Sequence, residues 1–303
     1  MNKFKKLRDC FKVFKIDGYI VPKNDEFFGE YVDKSNDRLN YISSFSGSAG
    51  YAIILRKKSY LFVDGRYTLQ AKKEVNKDFK IIEIHKIIPA KILENIREKL
   101  KIGFDPTLFS EANLINNFKA KNTVLIPIKQ NLIDKIWVNK PKKTNKEFFL
   151  LNSKHAGRDY KRKLNIVSKI LNKQKVSKLL ITAPENLAWL LNVRGKDSKY
   201  SPLPNCHAIL DKNKKITLIV NKNKINKKFK LKFNKKINYI NPSDVIKYFS
   251  NLNNNEIFLI DKFSCSFFYK KLIESKFKFY EKNDPIYLLK AKKNNVEISN
   301  SIK

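Results

Sequence analysis

The chain has 303 residues, 42% of them hydrophobic and 12% aromatic, enough for two packed cores at about 150 residues each and too apolar for a disordered chain. It carries 64 Lys and Arg against 28 Asp and Glu, a formal charge of +36. No run approaches the ~18 apolar residues of a membrane span, Met1–Phe14 lacks the apolar centre of a secretory signal, and three scattered cysteines (Cys10, Cys206, Cys265) read as neither a disulfide framework nor a zinc site. The expectation is a soluble, cytoplasmic, two-domain protein.

Phe4, Leu7, Phe11 and Phe14 predict an amphipathic helix over Lys3–Lys15. Gly18 breaks it, and Tyr19-Ile20-Val21 reads as a buried strand closed by Pro22. A short helix at Asp37–Ile42 and the small-residue turn Ser46–Gly50 lead to two strands, Tyr51–Leu55 and Tyr60–Val63, joined by a polar hairpin. Asp64 is placed to cap a helix running to Val75. Phe79–Ile84 reads as a strand and Pro89–Leu100 as a helix. Ile102–Asp105, a helix from Ser110 to Phe118, and Thr123–Ile126 complete a first β/α domain.

The polar stretch Asn139–Asn145 is the expected linker. Tyr160, Leu164, Val167 and Leu171 share a helical face; Lys178–Ile181 reads as a strand and Pro184–Leu191 as a helix. Cys206–Leu210 and Ile216–Val220 follow as strands, then helix, strand and helix at Pro242–Phe249, Ile257–Ile260 and Phe267–Ile273. Two β/α series of similar size and order imply a duplication, although no fixed sequence period is visible.

The charge invites a nucleic-acid reading, and its make-up argues against one. Only 8 of the 64 basic residues are Arg, the residue favoured for bidentate phosphate and base contacts, and 34 residues are Asn. Lys, Asn, Ile and Phe share A/T-rich codons, so base bias accounts for the composition. The densest basic stretch, Lys212–Lys236, holds eleven Lys and no acid. Within it, Phe229-Lys230-Leu231-Lys232-Phe233 alternates strictly, which predicts a half-buried strand with Lys on its wet face.

No GxSxG, GxGxxG, P-loop or HExxH occurs. His85, His155 and His207 have no second ligand at chelating spacing; adjacent Cys206 and His207 point to opposite faces of a strand and cannot share an ion. Two clusters stand out. In the first, a hairpin brings Ser44–Gly50 and Asp64-Gly65-Arg66-Tyr67 to one end of a sheet, setting Arg66 at a helix N-terminus. A cation there opposes the macrodipole, so either Asp64 compensates it or Arg66 faces outward to receive a ligand carboxylate or carbonyl. The second is Trp189–Asp197 with Pro202 and Pro204, read as a helix end with a Gly195 C-cap and an Arg194–Asp197 surface pair.

These segments resemble the N-terminal half of aminopeptidase P, the Xaa-Pro aminopeptidases of the creatinase/prolidase group. The resemblance is carried by Tyr31-Val32, Arg38–Gly50, Val63–Ala71, Ile102–Pro106, Leu132–Trp137, Leu187–Asp197, Asp284-Pro285-Ile286 and Leu289–Asn294, all in family order. It implies an α/β fold with two related creatinase/prolidase N-terminal-type domains in tandem, at 1–140 and 141–286. Residues 287–303 would lead into a C-terminal "pita-bread" domain that this chain does not contain. In that family the last domain holds two divalent metals, usually manganese, on two Asp, one His and two Glu, and hydrolyses the bond between an N-terminal residue and a following proline. The first ligand pair would be two Asp eleven positions apart, and no two Asp here have that separation. No metal ligand, cofactor or catalytic residue is therefore expected within these residues.

The one residue carried over is Arg66, at the position of the family arginine that contacts bound peptide. The expected partners are a peptide with proline second, a second copy in a homodimer, or a separately encoded catalytic half, with no membrane and no nucleic acid. The expected role is the substrate-recognition and assembly part of a cytoplasmic Xaa-Pro aminopeptidase, inactive by itself. The alternatives are a stand-alone peptide-binding or docking module and a basic polyanion-binding protein.

Overall fold

Runs of apolar residues bounded by Gly, Pro and polar turns produce strands buried on both faces, the pattern of a sheet covered by helices on each side. A computed structural model describes residues 3–198 and 200–302, in two units, 1–143 and 144–303. The first unit contains β1 (Gly18–Pro22), β2 (Gly50–Leu55), β3 (Ser59–Val63), β4 (Phe79–Glu83), β5 (Leu100–Phe104) and β6 (Thr123–Pro127). They form one sheet in the order β4-β3-β2-β1-β5-β6. Tyr19, Val21, Ala52, Ile54, Leu61 and Val63 pack on the same side as Phe4, Leu7 and Phe11 of the helix Lys3–Phe14, whose apolar spacing anticipated that face.

The second unit contains β7 (Phe149–Leu150), β8 (Lys178–Ile181), β9 (Val193–Arg194), β10 (His207–Asp211), β11 (Ile216–Ile219), β12 (Ile237–Ile240), β13 (Ile257–Ile260) and β14 (Lys278–Glu281). Six of them form a sheet in the order β12-β11-β10-β8-β13-β14, while β7 and β9 pair separately. Leu179, Ile181, Ala208 and Leu210 enter one core layer, and Leu180, Ile209, Phe258 and Ile260 the other. This is the period-two alternation of strands buried on both faces.

The duplication is visible strand by strand. With strands counted in chain order within each six-stranded sheet, the first, β1 in one unit and β8 in the other, is central. Its neighbours are the second strand, antiparallel, and the fifth, parallel. The second and third strands form an antiparallel hairpin, and the third and fourth run parallel. A carboxylate device recurs as well. After the fifth strand, Asp105 Oδ1 accepts from Thr107 N at 2.9 Å and Asp261 Oδ1 from Phe263 N at 3.0 Å. The other oxygen of each reaches the chain ahead of the helix that follows the sixth strand, through Asn131 Nδ2 at 2.8 Å and Asp284 N at 2.9 Å.

Two local expectations are corrected. Phe229–Phe233 is helical, within Lys227–Phe233, capped by Asn226 Oδ1 on Phe229 N. Phe229 and Phe233 are buried on one face while Leu231 is 80% exposed. The Pro89 helix ends at Glu94, because Leu100 is already the first residue of β5. Among the described residues no helix is long and apolar enough to cross a membrane.

Candidate functional site in the first unit

The register of the β2–β3 hairpin sets Gly50 opposite Val63, so the loop entering β2 lies beside the turn leaving β3. The expected meeting of Ser44–Gly50 with Asp64–Tyr67 follows from this pairing. Tyr67 Oη and Ser48 Oγ are 2.7 Å apart, and the Tyr67 ring meets Phe45 edge-on at 5.9 Å. Ser46 donates its N–H and Oγ to the two carboxylate oxygens of Glu74, at 2.8 and 2.7 Å, and Gln70 Nε2 donates to Ser46 Oγ at 2.8 Å. Gly47 is required by packing, since a Cβ there would lie 2.2 Å from the Phe45 ring. The loop is thus a braced turn that cradles aromatic rings, in keeping with its reading as a small-residue turn.

Asp64 opens the 3-10 turn Gly65–Tyr67, which passes directly into the helix Thr68–Glu74. Its Oδ1 accepts from Arg66 N at 3.0 Å and from Arg66 Nε at 2.9 Å, and its Oδ2 takes His85 Nε2 at 3.3 Å. The hydrogen bonds from Arg66, then that from His85, hold the Asp64 carboxyl well below the usual carboxylate range. The local carboxylate therefore compensates the cation, and it does so through Nε alone. Arg66 Nη1 and Nη2 donate to nothing among the described residues; the side chain is 72% exposed and stands 5.5 Å from the Tyr67 ring centroid. Such a fork, held at its base and open at its tip, suits a carbonyl or carboxylate acceptor.

The sequence shows His85 only as a histidine without a second ligand, and its contact with Asp64 is not foreseen there. The signal lay in topology: β3 and β4 run parallel with Val63 opposite Glu83, so residues just past both strand ends become neighbours. No short-range pattern carries that information.

The other motif polar groups are consumed internally. Arg38 makes a bidentate pair with Asp134, Nε to Oδ1 at 2.9 Å and Nη2 to Oδ2 at 2.8 Å, and Tyr41 stacks on Trp137 with ring centroids 4.5 Å apart. In the second unit the helix Pro184–Leu191 ends at Asn192, in the left-handed conformation with φ 54°, and not at Gly195. The buried Lys163 closes that end, donating Nζ to Trp189 O and Asn192 Oδ1, each at 2.7 Å, and burial draws its pKa down to about 8. Arg194 and Asp197 are not partners. Arg194 Nη1 donates to Ala188 O at 3.1 Å, and Asp197 Oδ2 receives Lys224 Nζ at 2.6 Å, with side chains only 4% and 3% exposed. Cys206 packs in one core layer, and His207 Nδ1 meets Tyr269 Oη of the opposite layer at 3.1 Å.

Gly195 has a different duty. Its N–H donates to Pro202 O at 3.0 Å, and a Cβ would sit 2.3 Å from Leu203 O. Gly195→Ala is expected to lower stability by about 2–3 kcal/mol, because two backbone segments must separate. Urea unfolding checks this, and a midpoint equal to that of the unmodified chain would contradict it.

Among the described residues no group of three or more His, Cys, Asp or Glu is placed to hold a metal ion.

The creatinase/prolidase N-terminal domain pattern matches this chain twice, over residues 3–136 and 139–297, and the chain belongs to that family. It is similar to Xaa-Pro aminopeptidase 1 of Dictyostelium discoideum, with 32% identity over 98% of this chain and 49% of that protein. It also matches a protein named "Probable Xaa-Pro aminopeptidase P" from Coprinopsis cinerea, with 32% identity over 72% of this chain and 36% of that one. The matches thus span from about a third to half of the length of these relatives. A solved X-prolyl aminopeptidase from Caenorhabditis elegans, described as a cytosolic enzyme with a di-nuclear active site, superposes with a TM-score of 0.89 at 22% identity. That superposition covers 98% of this chain and 52% of the nematode chain, and it shows a shared fold.

Proposed function

We propose that these two units are the peptide-recognising part of an Xaa-Pro aminopeptidase and that Arg66 is the residue that meets the peptide. The observation that carries this is the contrast just described. The buried Arg38 and Lys224 have carboxylate partners and Arg194 caps backbone carbonyls, whereas Arg66 is tethered by Nε and leaves two nitrogens facing outward. Membership of the family and the names of the relatives supply the substrate class, a peptide with proline in second position. The metal-activated water that hydrolysis requires is assigned to a metal-binding domain outside these residues, since the donor set for it is not among them.

The test is a titration of the isotope-labelled chain with a short Xaa-Pro peptide, followed by NMR. Saturable shifts are expected at Arg66 and Tyr67, and Arg66→Ala should weaken binding about tenfold or more, the scale of a lost charge-assisted hydrogen bond. With manganese added, the chain by itself is expected to release no N-terminal residue. Identical titrations for Arg66→Ala and the unmodified chain would remove Arg66 from the reading, and metal-dependent turnover would overturn the placement of the chemistry.

A further inference from the structure

The turn after the third strand occurs twice in this chain, and the second copy shows what the turn itself requires. Asn221 opens the 3-10 turn after β11 with one neutral side-chain oxygen, accepting from Asn223 N at 3.0 Å. The neighbouring cation there, Lys224, is turned inward onto Asp197. Asp64 makes the same capping bond to Arg66 N at 3.0 Å. Its negative charge, its contact with Arg66 Nε and the use of its second oxygen by His85 are all additional to the cap. Since a neutral amide suffices to build this turn, those additions are not needed for the turn itself.

We propose that Asp64 and His85 are positioning residues for Arg66. Asp64 fixes the guanidinium plane through Nε, and His85 holds the second oxygen of Asp64 so that the first stays on Arg66. This rests on Arg66 being the peptide contact. An exposed arginine samples many rotamers, and a fork already anchored at Nε loses less freedom when it binds. The surroundings fit the role. Tyr67 underlies the guanidinium and is itself fixed by Ser48 Oγ. Glu83, beside Gly65, is paired with Lys86 at 3.0 Å, and the exposed Glu30 lies within electrostatic reach of Arg66 and favours its charge.

Asp64→Asn is the decisive variant, because it keeps the kind of cap that Asn221 provides and removes the charge. His85→Ala removes the outer hold, and His85→Gln restores an N–H donor. The readouts are the Arg66 Nε–Hε cross-peak, the affinity for an Xaa-Pro peptide and the urea midpoint. In Asp64→Asn the cross-peak should move toward that of a free arginine and broaden by solvent exchange. Affinity should fall about two- to fivefold, the scale of an exposed ion pair, with the urea midpoint unchanged. His85→Ala should move the cross-peak in the same direction by less, and His85→Gln should return it. An unchanged cross-peak in Asp64→Asn overturns the proposal, as does a lowered midpoint without any cross-peak change. If Arg66→Ala leaves peptide binding intact while Asp64→Asn still releases the cross-peak, positioning stands and the peptide-contact reading fails.

Discussion

Replacing Asp197 by alanine is expected to destabilise the second unit by about 3–5 kcal/mol, the scale for stranding one member of a buried ion pair. Lys224 Nζ meets Asp197 Oδ2 at 2.6 Å with both side chains almost wholly buried, so the lysine left behind is a buried charge without its counter-ion. More than the pair is at stake. Asp197 Oδ1 also accepts Lys146 N at 3.3 Å, and Lys224 O accepts Phe148 N at 2.9 Å, so the pair anchors the segment entering β7. An unfolding midpoint lower by about 10 °C is expected for a unit of this size. Replacing Lys224 by methionine in the same protein should recover much of the loss, since the penalty lies in the stranded charge and not in the absent bridge. Equal losses in the single and double variants would show that packing around Asp197, and not its charge, holds the segment.

A second large effect depends on pH. Asp284 is buried, and burial raises its pKa from 3.8 to about 6, even though Ile286 N and Asn186 Nδ2 donate to it at 2.8 and 2.9 Å. A carboxyl group whose folded pKa lies above its unfolded value binds its proton more tightly in the fold. Its stabilising contribution is therefore complete below about pH 3.8 and is lost as the pH rises through about 6. Asp284→Asn removes this dependence. An asparagine keeps an acceptor for Ile286 N, and the amide of Asn186, whose Oδ1 is buried without a partner, can turn to accept the new N–H. Relative to the unmodified chain, the variant should gain about 2 kcal/mol between pH 4 and pH 7.5. Urea unfolding at the two pH values measures this directly. A stability difference independent of pH would show that the carboxylate of Asp284 carries no burden in the fold.

Elements whose apolar residues obey one period were legible from the residues alone. Lys178–Ile181 and Pro184–Leu191 stand where periodicity and the Pro at the helix start put them. Phe229–Phe233 was ambiguous in principle: phenylalanines four apart fit both a strand face and a helix face, and only the fate of Leu231 between them separates the two. The edge strands β12 and β14 were passed over because Asn238, Lys278, Tyr280 and Glu281 face water and blur the alternation. At the site, Arg66 and Asp64 were readable because cap and cation are two residues apart. His85 and the Asp197–Lys224 pair were not, since each joins residues more than twenty positions apart through strand pairing that no local pattern encodes.

The strand order of each sheet also dictates a timetable for the growing chain. β1 can pair with β2 as soon as the β2–β3 hairpin emerges, yet its parallel neighbour on the other side pairs Gly18 with Ile102, which is synthesised long afterwards. In the second unit β8 waits in the same way for β13, with Lys178 opposite Phe258. Until then each nascent meander exposes the unpaired edge of its central strand. Those edges, open templates for any passing strand, are where each half of this molecule is most vulnerable to misassembly.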